Sequence, residues 1–405
     1  MRILGLVTEY NPFHNGHLHH LRQSRLAAGA DLTVAVMSGH VLQRGLPALT
    51  DKWTRAEMAV RCGVDLVVEL PALYACSSAE GFAAGSVSLL GALGAGALCF
   101  GSEEGQLEPL RQAAAILAAE PPAFQEALRR HLDRGISFPE ARDLALTEAA
   151  GGPLLQGGLP NNILGIEYCR AIATQGLAME PLTIPRIGAG YHSTEITGAI
   201  CSATAIRRLV TEASAPPDFA AVMPPAAAPL MAAAWARGAV SHEDRWLPLL
   251  RYRLLTTPEE EAMSLSDCDP GLWHRLRAAA EGAETYRDLT ARAKTRRYTL
   301  TRIQRVLAAL LLNIDAEARS RLGLPRYARV LGSSPAGRSY LRNLSKHCPV
   351  PLINNLARFT DRDPLLREML AFDLLATDLF GMTLKNSALG RFGQDYRVPG
   401  PYIGS

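Results

Sequence analysis

The chain has 405 residues, 48% of them hydrophobic and 20% charged, with a formal net charge of +3. That balance excludes a disordered or fibrous protein, and the length exceeds what one hydrophobic core usually organises, so two domains are expected. The seven cysteines are odd in number, scattered and without a CxxC pair, as in a reduced, cytoplasmic protein.

The opening "RILGLVT" (2–8) is too short an apolar run for an export signal and reads as a strand. Runs apolar on both faces follow at 31–37, 64–70 and 96–101, separated by helical patterns near 17–28, 51–62 and 78–93. Strand and helix alternating at this spacing predict an α/β fold on a parallel, doubly wound sheet. The pattern continues with a helix at 160–174, a strand at 181–187 and a helix at 202–210 that opens on a Ser cap. Prolines within 212–229 break the periodicity, and helical patterns dominate beyond them. The expected organisation is an α/β domain at 1–215 followed by a mostly α-helical domain at 216–405. No apolar run reaches the roughly 20 residues of a membrane span, so no membrane partner is expected.

The small net charge conceals a segregation. Residues 285–346 carry fourteen Lys/Arg against three acidic residues, 347–405 is balanced, and 1–284 is net negative. A polyanionic partner is expected for the basic segment. Within it "TARAKTRRYTLTRIQR" sets Lys294, Arg296, Arg297, Arg302 and Arg305 around Tyr298, and Asp288 is the one acid in 285–305.

Four of the ten histidines fall within "NPFHNGHLHH" (11–20), between the first strand and the first helix. That edge of an open parallel sheet binds ligands, and a helix N-terminus offers N–H groups and positive dipole charge to a phosphate. Gly16 lets a ligand approach the backbone. His14 and His17, three apart at the turn, both reach one phosphate. Imidazole donates a hydrogen bond in either protonation state and can carry positive charge near neutral pH. Such donors suit attack at an α-phosphate, where negative charge builds on the non-bridging oxygens and the departing pyrophosphate. An ordinary turn and a metal site are the competing readings, and no Cys/His pair at zinc spacing stands nearby. His19 and His20 read as ordinary helix residues.

"HNGH" resembles the HxGH signature of the nucleotidyltransferase superfamily, whose core is a Rossmann-like HUP sheet. "SATAIR" (202–207) resembles that superfamily's ISSTxIR-like second signature, with Ala203 where a second Ser is usual. The strings "VTEYNPFHNGHLHH", "LQRGLPALTDKWTRAEMAV", "DLVVELP", "FGSE", "LPNNILGIEY" and "KTRRYTLTRIQRVL" are similar, over nearly the whole chain, to the bacterial tRNA(Met) cytidine acetate ligase family. The resemblance implies activation of acetate by ATP to acetyl-adenylate. The acetyl group then passes to the exocyclic amine of the wobble cytidine of elongator tRNA(Met). ATP use implies Mg²⁺ bridging the phosphates.

The same resemblance implies His14 and His17 as catalytic residues within an ATP site running through Val7, Thr8, Glu9, Tyr10, Asn11, Pro12, Phe13, His14, Asn15, Gly16, His17, Leu18, His19 and His20. Gly101, Asn162, Arg186, Ile187, Ser202, Thr204 and Arg207 complete it. Asn162 can read ribose or base, and Arg186 can pair with phosphate through its planar fork. Gln43, Arg44 and Lys52 are further candidate phosphate or substrate contacts, with a solvated helix face the equal alternative for Lys52, while His40-Val41 departs from the family pattern of Asn or Asp followed by Phe. Glu9 and Asp51 are the nearest carboxylates for a base in acetyl transfer, although structural roles suit both. The basic segment then becomes a tRNA surface; no DNA partner is expected. Tyr286, Tyr298, Tyr327 and Tyr340 are either stacking platforms for anticodon bases or core aromatics. The alternatives are a nucleotidyltransferase acting on a phosphorylated metabolite and a non-catalytic RNA-binding protein on the same fold.

Overall fold

The predicted apolar runs form strands β1 (Ile3–Thr8), β2 (Leu32–Ser38), β3 (Leu66–Leu70), β4 (Ala97–Ser102) and β5 (Glu180–Pro185). They are seen in a computed structural model that describes residues 1–154, 159–186, 202–213, 215–400 and 402. Alternate side chains face opposite ways and both faces are buried: Val34 and Val36 enter one core, Ala35 and Met37 the other.

The helices of this half are α1 (Asn15–Ala28), α2 (Lys52–Arg61), α3 (Ala72–Ala75), α4 (Ala79–Ala92), α5 (Glu108–Ala119), α6 (Pro122–Asp133), α7 (Phe138–Ala149), α8 (Pro160–Thr174) and α9 (Ala203–Glu212). Leu21 of α1, Ala56 of α2 and Ile206 of α9 pack on one face of the sheet. Phe82 of α4, Leu110 of α5 and Ile166 of α8 pack on the other.

Beyond 215 come α10 (Ala228–Ala236), α11 (Leu247–Thr256), α12 (Glu259–Met263), α13 (Pro270–Gly282), α14 (Tyr286–Ala293), α15 (Leu300–Leu312) and α16 (Ala318–Leu322). Strand β6 (Ala328–Ser333), α17 (Pro335–Leu344), β7 (Leu352–Ile353), α18 (Pro364–Gly381) and α19 (Gln394–Arg397) follow. Residues 216–405, expected as a separate helical domain, therefore contribute two strands: β6 lies antiparallel against β3, and β7 parallel to β6. Trp246 at the start of α11, with Trp273, Leu307 and Met369 of the later helices, belongs to the same buried cluster as Val34 and Val36.

The sheet order is β5-β4-β1-β2-β3-β6-β7, with β1 parallel to both β2 and β4. The chain winds outward from β1 through β2 to β3, then returns to β4 on the other side of β1. Connections leave in opposite directions there, which opens a crevice at the carboxyl ends of β1 and β4. Among the described residues no helix is long and apolar enough to cross a membrane.

Candidate active site

The loop leaving β1 is shaped by what it buries. Tyr10 and Phe13 turn their rings into the core, 4.7 Å apart between centroids, and both pack against His17. Asn11 is buried and its Oδ1 accepts the Leu49 N–H at 2.6 Å. Arg55 of α2, fully buried, donates to the carbonyls of Glu9 (2.6 Å), Ser38 (3.0 Å), Thr50 (3.1 Å) and Gly39. One guanidinium thus ties the ends of β1 and β2 together, and burial lowers its pKa to about 10. It lies inside the quoted "TRAEMAV" string, but nothing local marks it as buried.

His14 caps α1 rather than lying in it. Its Nδ1 accepts the Gly16 N–H at 3.0 Å, and the Nδ1 of His17 accepts the His14 N–H at 3.3 Å. This is a reciprocal capping box built from two imidazoles. With its Nδ1 accepting, the ring proton of a neutral His14 sits on Nε2. The two rings lie 3.8 Å apart between centroids. The first N–H groups of α1, expected to face a phosphate, have internal acceptors: Asn15 donates to the Val222 carbonyl at 3.2 Å, and Gly16 to His14. The rings and the helix dipole are therefore what this helix start presents.

Of the two protonation states open to these imidazoles, the buried turn favours the neutral one. Burial, then the positive charges of Arg186 and Arg207, hold the His14 pKa down at about 3. Burial, then His14, His20 and Arg186, hold His17 well below the ordinary histidine range, while the Pro12 carbonyl pulls the other way. His20, read from sequence as an ordinary helix residue, is lowered to about 4 by burial and Arg186. All three are neutral donors near neutral pH, and their field comes from the two guanidinium groups.

Arg186, directly after β5, lies across Gly101 of β4: a Cβ at that glycine would come within 3.3 Å of the Arg186 Cγ and 3.8 Å of the His20 ring. Its Nη1 donates to Asn161 Oδ1 at 3.0 Å. Asn162 stands buried in the first turn of α8. From the opposite side Ser202 caps α9, its hydroxyl accepting the Ala205 N–H at 3.1 Å, so Ala203 takes nothing from the cap. Arg207 donates to Thr204 Oγ1 at 2.9 Å and to the Asn11 carbonyl at 3.1 Å. The crevice thus gathers the ends of β1, β4 and β5 with the starts of α1, α8 and α9. Ile187 lies outside the described residues.

A model of the family described as HIGH Nucleotidyl Transferase matches residues 1–395. A tRNA(Met) cytidine acetate ligase of Alkaliphilus metalliredigens is 40% identical, the match covering 99% of each chain. The chain belongs to this ligase family. Thermotoga maritima TmcAL in an apo crystal form superposes with a TM-score of 0.94 at 32% identity, and TmcAL bound with α-thio-ATP with 0.90 at 31%, each over 100% of both chains.

Several residues expected at the ligase site lie elsewhere. Lys52 is fully buried, and its Nζ meets Glu69 at 2.7 Å and Asp395 at 2.8 Å, so it cannot meet a substrate. The departing residue His40 is buried too: its Nε2 accepts the Lys52 N–H at 3.2 Å and its Nδ1 pairs with Thr377 Oγ1 at 3.0 Å, outside the crevice. Both Asp51 oxygens are engaged by Thr54 at the cap of α2, each at 2.8 Å. Glu9 accepts the Gln43 N–H at 2.9 Å, and the Gln43 amide donates to the Ser77 carbonyl at 3.1 Å. Gly45, with φ at 74°, lies so close to the Gln304 carbonyl that no Cβ fits, which seats the loop holding Gln43 and Arg44 on α15.

The basic segment is less bare than its sequence window suggests. Arg302 pairs with Asp269 at 2.9 Å, and Arg305 with Asp267 at 3.1 Å. Both acids lie outside the window in which Asp288 stood alone. Lys294 and Arg296 are exposed and, among the described residues, pair with no carboxylate, while Arg297 is exposed with Asp269 at 3.8 Å. Tyr286, Tyr298 and Tyr327 are buried and Tyr340 bonds the Leu93 carbonyl at 2.6 Å, so the core-aromatic reading holds for them.

Proposed function

We propose that the chain activates acetate with ATP in the crevice between β1 and β4 and acetylates the wobble cytidine of elongator tRNA(Met). The observation that carries this is the His14–His17 imidazole pair at the switch point, each Nδ1 accepting a backbone N–H of the turn, with Arg186 and Arg207 beside His14. An acetate oxygen bonds to the α-phosphorus and the bond to pyrophosphate breaks. Acetate is already ionised, so the step needs orientation and charge stabilisation rather than a base. His14 and His17 donate to the oxygens on which charge grows, and Arg186 and Arg207 balance it. Val7 to His20, Gly101, Asn162, Ser202 and Thr204 frame the nucleotide. The cytidine amine then attacks the acetyl carbon, AMP departs and the amine proton is released.

ATP brings Mg²⁺ on its phosphate oxygens; among the described residues no group of three or more His, Cys, Asp or Glu stands together to cage an ion. Lys294, Arg296 and Arg297 offer the most open contacts to the tRNA backbone, with Arg302 and Arg305 at the edge of that surface. The test is acetate-dependent exchange of pyrophosphate into ATP, followed by mass analysis of nucleosides from tRNA incubated with ATP and labelled acetate. N4-acetylcytidine is expected, and replacing His14 and His17 by Ala should slow exchange by about 10²–10³. Exchange driven by a phosphorylated metabolite and not by acetate would overturn the reading.

A further inference from the structure

The start of α8 lacks a cap of its own. Its N-cap residue, Leu159, has no acceptor side chain and Pro160 follows it, leaving the N–H groups of Asn161 and Asn162 in need of partners. Glu103, one residue past β4, supplies them: Oε1 accepts the Asn161 N–H at 3.2 Å and Oε2 the Asn162 N–H at 2.9 Å. A carboxylate from one element thus caps a helix of another, against the positive end of its dipole.

The same residue orients both asparagine side chains. Its backbone N–H donates to Asn162 Oδ1 at 3.2 Å, which turns the Asn162 Nδ2 the other way; that amide nitrogen is buried and without a partner. Its Oε1 also accepts the Asn161 Nδ2 at 2.7 Å, which leaves Asn161 Oδ1 to receive Arg186 at 3.0 Å. A buried amide N–H₂ lacking an acceptor costs free energy, and a ligand acceptor removes that cost.

We infer that Glu103 is a positioning residue for the nucleotide, presenting Asn162 as a hydrogen-bond donor and, through Asn161, holding Arg186 beside the histidines. The inference rests on the proposed ATP site. Because Asn162 Oδ1 is already engaged, what this side chain turns to the nucleotide is a donor, so the group it meets is an acceptor: a ring nitrogen or a ribose oxygen. The adenine amino group, a donor, is not its partner. Glutamine at position 103 would set an N–H₂ against N–H donors where the carboxylate has only acceptors.

Calorimetric titration with ATP tests this on the full chain. Glu103→Gln should weaken ATP binding about tenfold, in keeping with the loss of charged hydrogen bonds. It should raise KM for ATP more than it lowers kcat in the exchange assay. In an Asn162→Ala, Arg186→Ala background the same change should have under about a twofold further effect, since the residues through which it acts are gone. An affinity within about twofold of wild type, or the same tenfold loss in that background, would overturn the inference. Asn161→Ala leaves the Glu103 cap on the backbone in place and serves if Glu103→Gln folds poorly: unchanged ATP affinity there removes the link to Arg186. Wild-type protein that binds ATP but shows no acetate-dependent exchange would sink the proposed reaction and leave this inference standing.

Discussion

Because the Nδ1 of His14 accepts a backbone N–H inside a buried turn, protonating the ring breaks a cap and places a cation beside two guanidinium groups. The folded pKa of about 3 lies below the 6.5 of the free side chain. Between those values the unfolded chain binds a proton that the folded chain refuses, so stability falls as pH drops from 6.5 toward 3. From this group alone the loss between about pH 7 and pH 5 amounts to about 2 kcal/mol. His14→Asn keeps a capping acceptor and removes the titration. Urea unfolding at the two pH values should therefore show a shallower acid loss in the variant; identical losses would argue against a buried neutral imidazole.

At the level of elements, α2 holds the crevice open by its position more than by its own chemistry. Asp51 caps it, and one turn later Arg55 reaches three carbonyls at the ends of β1 and β2 and a fourth, that of Thr50, just before its own helix. A lysine cannot span that set, since its ammonium is a point donor where arginine is a planar fork. Arg55→Lys is expected to cost on the order of 3 kcal/mol in chemical unfolding, and to weaken ATP binding as the Glu9 carbonyl is released. A stability within about 0.5 kcal/mol of wild type would show that the carbonyls find other donors. The elements themselves are legible in the chain: β1 to β4 announce themselves by short runs apolar on both faces, β5 by continuing the strand–helix alternation, α9 by its Ser cap. β6 is equally apolar, "ARVLGS", yet it follows a long helical stretch and pairs with β3, far back in the chain, so its place in the sheet has no local signal.

On the scale of the whole molecule, the two halves meet in a buried ionic cluster. Lys52 of α2 and Arg329 of β6 face Glu69 of β3 and Asp395 of α19, with Arg329 Nη2 at 2.7 Å from Asp395. Asp373 nearby is raised to about 7, by burial first and then by Glu69, and takes the Tyr327 hydroxyl at 2.5 Å. Removing one cation leaves buried carboxylates facing each other, so Lys52→Met should cost about 3–5 kcal/mol in urea unfolding. An unaltered midpoint would mean that the carboxylates take up protons at little cost. The exposed basic surface behaves differently. Replacing Lys294, Arg296 and Arg297 by Ala should lower the slope of log tRNA affinity against log salt by about 2 while leaving ATP affinity unchanged. A slope equal to that of wild type would place the tRNA elsewhere.

The amino-acid sequence by itself determined what local pattern can specify: the strand periodicity, the histidine turn at the end of β1, the Ser202 cap and the segregation of basic residues. Tertiary structure alone decided which of those charges are used. It neutralised the histidines by burial, withdrew Lys52 into the core, and brought Asp267 and Asp269 to Arg305 and Arg302. It also set Glu103 on the start of α8. The physical reason is that protonation and pairing depend on solvent exclusion and on distance through space. Partners such as Lys52 and Asp395 stand at opposite ends of the chain and 2.8 Å apart in the fold.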